Sequence, residues 1–127
     1  MSTSSLAQTA YQQIAAPIRT ARGTEYEILA RITHSLKKAN LSGKAGFPDL
    51  VSALHDNRQL WSTFAVDVAD PQNGLPQDLR AKIFFLAEFT IAHTSKILSG
   101  SAKVAPLIEI NTAIMAGLRG QGQGHKP

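Results

Sequence analysis

Apolar residues recur along this chain at alternating steps of three and four, the repeat of one face of an α-helix, in five segments. Pro17, residues 42–46, 70–76 and 99–103, and a tail from Gly120 separate them. The first segment carries Ala7, Tyr11, Ile14 and Ile18, and Pro17 predicts a kink or an end to its helix. The second, from about Arg22 to Ala39, sets Leu29, Ile32 and Leu36 on one stripe with Tyr26 beside it. Asn40 and Gly43 follow as stop signals. The third is the most regular: Phe47, Leu50, Leu54, Asn57, Trp61, Phe64 and Val68 keep the alternation for three turns of the heptad, with Pro48 suited to a first helical turn. Continued to Ala69, this helix has about 23 residues and is about 35 Å long.

The fourth segment opens at Pro76, runs along Leu79, Ile83, Leu86, Thr90, His93 and Ile97, and closes at Gly100. Phe84, Phe85, Phe89, Ile91 and Leu98 lie off that stripe, so the helix is apolar on more than one face, which predicts a central position. The fifth, from about Val104 to Leu118, repeats the spacing with Leu107, Asn111, Ile114 and Leu118, and Pro106 sits in its first turn. No period-two run rich in β-branched residues interrupts the series, so no sheet is expected. The pattern predicts an all-α fold, a single bundle of four to five helices over residues 1–119, with a disordered tail over 120–127. Connections as short as 70–77 make the helices mostly antiparallel.

Composition agrees with one folded unit: 127 residues, 43% hydrophobic and 17% charged, are enough for a single core and too apolar for disorder throughout. With no cysteine, disulfides, thiolate metal sites and a cysteine nucleophile drop out. The longest apolar run, Ile83 to Ala87, is far below the ~20 residues of a membrane span. Met1 to Ser5 hold no positive charge, so no secretory signal is read and a cytoplasmic location is expected.

The net charge of +4 is local. Between Pro17 and Gly46, Arg19, Arg22, Arg31, Lys37, Lys38 and Lys44 outnumber Glu25 and Glu27 by four, which is the whole excess. These cations, with Tyr26 and Phe47 to stack on bases, are the one feature that suggests nucleic acid. A solvated basic face is the plainer reading, since both aromatics fall on the apolar side of the same repeat, and direct nucleic-acid binding is not expected. Gly43 and Lys44 do not complete a phosphate-binding loop, because Ala45 follows and Lys38 stands where its first glycine belongs. His34, His55, His93 and His125 have no i, i+4 partner for a metal. Glu25 and Glu27 point to different sides of a helix. No serine or threonine lies in a nucleophile elbow. An interaction module without cofactor, metal or catalysis is therefore expected.

Three stripe positions are polar: Asn57, His93 and Asn111 stand where the repeat asks for a hydrophobe. A buried amide or imidazole needs partners or costs about 1–3 kcal/mol. Two arrangements meet that need: hydrogen bonds between these side chains that set the helix register, or bonds to their own helix backbones at a groove edge.

Three strings then stand out: Ala53-Leu54-His55-Asp56-Asn57-Arg58-Gln59-Leu60-Trp61, Asn73-Gly74-Leu75-Pro76-Gln77-Asp78-Leu79-Arg80, and the run from Leu107 through Asn111 and Met115 to Leu118. In this order, with Ala10-Tyr11 and residues 22–29, they resemble the FlaF family of alphaproteobacterial flagellar biosynthesis proteins from about Ala10 to Arg119. Gly23 departs from the helix former expected there. The resemblance implies a small cytoplasmic protein, without catalysis, needed for flagellin production and export. It also implies flagellin as the partner, together with a second regulator, FlbT. Two roles stay open: a chaperone that accepts an amphipathic flagellin helix into a groove, and a post-transcriptional regulator of flagellin mRNA, acting directly or beside FlbT. The light stripe of the first segment puts Tyr11 and Ile14 at the edge of such a groove.

Overall fold

The computed structural model describes residues 15–122, with side chains from 25 to 117. Among these residues the chain forms four α-helices and no strand: α1 over Ala15–Leu41, α2 over Phe47–Ala69, α3 over Gln77–Leu98 and α4 over Ala105–Gly122. A short 3-10 turn, Gly43–Gly46, joins α1 to α2. All-α architecture follows from the three-and-four spacing, and α2 has the bounds and the 23 residues that its stripe predicts.

The start of α1 differs from expectation. One helix continues from Ala15 through Pro17 and Gly23 to Leu41, so of the kink or end expected at Pro17 the structure shows no end. Gly23 is accommodated because a lone glycine lowers helix stability by only about 1 kcal/mol. Helix α4 in turn extends to Gly122, three residues into the segment predicted to be a disordered tail. The rest of that segment lies outside the described residues.

The chain divides into two compact units, Ile32–Ile110 and a second one that holds residues 15–31 and 111–122. In the second, Leu29 and Asn111 are fully buried, and Ile28, Tyr26, Ile114 and Met115 are half-buried.

In the unit Ile32–Ile110, α2 and α3 pack against each other along their lengths. The seven residues that join them reach at most about 25 Å, less than the about 35 Å of α2, so the two helices run antiparallel. Ala53, Leu54, Asn57, Trp61, Phe64 and Val68 form the buried face of α2. The rings of Trp61 and Phe64 meet edge to face, with centroids 5.1 Å apart and planes at 81°. Ile32, Leu36 and Ala39 of α1, Val104 just before α4 and Leu107 in its first turn are buried as well.

Helix α3 turns its stripe inward, with the most deeply buried line shifted slightly to one side of it. Its buried residues are Ala87, Thr90, Thr94 and Ile97, while Leu79, Ile83, Leu86 and His93 are only half-buried. The deepest line of that face holds the small side chains Ala87, Thr90 and Thr94 together with Ile97, flanked by the half-buried Leu79, Ile83 and Leu86. Phe84, Phe85 and Phe89 are left outside, so α3 is not the central, all-round apolar helix that its composition predicts.

Candidate functional site

The string Asn73 to Arg80 lies at the joint between α2 and α3. The last carbonyls of a helix have no partner within it. At the end of α2 two side chains supply them: Asn73 Nδ2 donates to the Asp67 carbonyl at 3.0 Å, and Arg80 Nε donates from the first turn of α3 to the Val68 carbonyl at 2.9 Å. A guanidinium there also opposes the negative end of the helix dipole. Asp70 and Asn73 each accept a backbone N–H two residues on, from Gln72 and Leu75, both at 2.9 Å, which folds residues 70–75 into two successive side-chain-closed turns. Pro76 then stands at the cap position of α3.

The other joints are as defined. Helix α3 ends in a Schellman motif: the N–H of Gly100 reaches the Ile97 carbonyl at 3.0 Å and that of Ser101 the Lys96 carbonyl at 2.9 Å, with Gly100 at φ +84°. Between α1 and α2, Gly46 passes so close to the backbone of Ala39 that a Cβ built on it would lie 2.6 Å from that carbonyl oxygen.

The polar stripe positions fall in different surroundings. Asn57 and Asn111 have no exposed surface. His93 is half-buried, its Nε2 lies 2.8 Å from the Lys103 carbonyl oxygen, and its ring stacks on Phe89 with centroids 5.1 Å apart. That bond ties α3 to the connection before α4 and involves neither amide. Tyr11 and Ile14 lie outside the described residues.

What the fold leaves open to a partner is apolar. On α3, Phe85 is 67% exposed and Phe84 and Phe89 are each 39% exposed, with Ala81 and Ala92 also on the surface. Three phenylalanines on one small helix is a patch of the kind that marks an interaction site. Their signal was present in the sequence as phenylalanines off the main stripe, where periodicity alone assigns them to a second buried face. Of the basic segment, Arg31, Lys37, Lys38 and Lys44 are exposed, Tyr26 is half-buried and Phe47 is half-exposed. Among the described residues no three His, Asp or Glu side chains gather as a metal site, and no helix is long and apolar enough to cross a membrane.

A family model described as flagellar protein FlaF matches residues 7–118. The chain belongs to the FlaF family. It is thus a flagellar protein, and the match spans α1, α2, α3 and most of α4. No curated protein and no solved structure gives a significant match. Set on this fold, the strings that resemble FlaF divide by role: residues 53–61 supply most of the buried face of α2, residues 73–80 cap the end of α2 and lead into α3, and Leu107 and Asn111 are buried on α4.

Proposed function

We propose that this FlaF protein is a cytoplasmic chaperone that binds unassembled flagellin and supports its synthesis and export. The observation that supports this reading is the row of exposed phenylalanines on α3, in a small helical chain of a flagellar family. Flagellin polymerises through amphipathic terminal segments, as the family resemblance implies, and before assembly those apolar faces need covering. An apolar helix face that stays open in the folded protein suits that task, because an amphipathic helix laid on it buries the apolar surface of both. Tyr11 and Ile14, of the first apolar segment, belong to the same proposal as further contact residues. FlbT enters it as a second partner.

The alternative, regulation through flagellin mRNA, draws on the exposed lysines Lys37, Lys38 and Lys44. Among the described residues Phe47 is the exposed aromatic near them in sequence, short of the set of stacking platforms that single-stranded RNA recognition uses. Co-expression with flagellin, followed by purification and measurement of the RNA content, separates the two. A stoichiometric, RNA-free complex is the expected result. A preparation that holds RNA and no flagellin favours the regulator.

A further inference from the structure

The outer face of α3 has a second regular stripe. Asp78, Lys82, Phe85, Phe89, Ala92 and Lys96 follow one another at steps of four, three, four, three and four, and all six are exposed. This is the spacing of the seam along which one helix packs on another in a coiled coil. The two phenylalanines stand at its middle, charges at its ends, and the charges are of opposite sign. The stripe reaches about 27 Å from Asp78 to Lys96 at 1.5 Å per residue.

Such a stripe is its own complement in one orientation. In a parallel pair of copies, Asp78, Lys82 and Lys96 would each face the same residue of the other copy, and like charges would meet three times. In an antiparallel pair centred at the level of Ala87, Phe85 packs against Phe89 of the second copy, and Phe89 against its Phe85. Asp78 then meets Lys96 of the second copy at both ends, and Lys82 lies across from Ala92, where its stem covers a small side chain and its ammonium reaches water. Each contact occurs twice, as a two-fold interface requires. We infer that the free protein forms an antiparallel two-fold dimer along this stripe of α3. The apolar middle supplies the affinity, and the end charges select the orientation.

The dimer stands on the stripe alone. Its meaning for regulation rests on the proposed flagellin reading: a second copy covers Phe85 and Phe89 until flagellin displaces it, so that dimer and client complex exclude each other.

The test uses the full chain, with mass measured by light scattering and sedimentation over about two decades of concentration. Wild type is expected to pass from monomer to dimer. Phe85→Glu is expected to stay monomeric with unchanged helical circular dichroism, since the side chain is on the surface. Asp78→Lys and Lys96→Asp should each weaken the dimer by about tenfold, and the double variant should restore it, because the swap returns opposite charges to both ends. A wild type that is monomeric throughout overturns the dimer. If Phe85→Glu then loses flagellin, the occupant of the face is flagellin. If it instead loses thermal stability, the occupant is another part of its own chain. A double variant no better than the single ones overturns the antiparallel register. A dimer that forms while no flagellin complex does leaves this inference standing and removes the chaperone reading.

Discussion

At the scale of single residues, the two glycines of the α1–α2 joint do different work. A Cβ on Gly46 meets the Ala39 oxygen at 2.6 Å and the Ser42 Cβ at 2.7 Å, and the backbone cannot swing aside as a flexible side chain would. Gly46→Ala is therefore expected to lower stability by about 1–3 kcal/mol in urea unfolding. Gly43 has φ +61° and open space around its Cα, so Gly43→Ala meets only the left-handed backbone penalty, about 1–2 kcal/mol. The buried amides make a second prediction. Asn57 and Asn111 both have interaction partners and no exposed surface. Asn57→Leu and Asn111→Leu remove those interactions from the interior and are expected to destabilise by about 1–3 kcal/mol. The loss should appear as a lower melting temperature, since neither side chain reaches a binding partner directly.

The joint between α2 and α3 is the informative feature at the scale of elements. Asn73 and Arg80 bond the carbonyls of Asp67 and Val68, two adjacent groups of one last turn. Arg80→Ala is expected to cost about 1.5–3 kcal/mol, the range for a hydrogen bond from a charged group, and Asn73→Ala about 1 kcal/mol. The two losses should not add, because once one substitution frays the turn the other carbonyl is already in water. A double-mutant cycle by chemical unfolding checks this. The prolines, the glycine stop at Gly100 and the heptad spacing made the bounds of α2, α3 and the start of α4 legible beforehand, because caps and periodicity are local properties of the chain. The bond across the joint from Arg80 to Val68 was not legible, since it depends on how residues twelve apart in the chain, on two different helices, come to lie side by side.

For the whole molecule, two measurements on the purified protein decide between client and nucleic acid. Co-purification with flagellin at stoichiometric ratio is the expected outcome, and the Tyr11→Ala, Ile14→Ala double variant should weaken it while leaving the helical circular dichroism unchanged. Any association with RNA is expected to be electrostatic. Its affinity should then fall by orders of magnitude between about 50 and 200 mM salt, and a scrambled RNA should compete equally well. Binding that survives physiological salt and rejects the scrambled RNA would turn the function from chaperone to regulator.

By itself the sequence determined the helical class, the repeat of each stripe, the turn residues and the family, for all of these are written in local spacing and short motifs. The tertiary structure decided which of two apolar faces of α3 turns inward. The stripe of Leu79, Ile83, Leu86, Thr90, His93 and Ile97 is covered and the face of Phe84, Phe85 and Phe89 is left open, because a helix packed along one side of α3 leaves the other side to solvent. The same structure decided that Phe47 ends half-exposed at the head of a stripe whose full burial begins at Leu54, and that one helix runs through both Pro17 and Gly23. A periodic pattern states which residues share a face; whether that face is covered depends on what the rest of the chain sets against it.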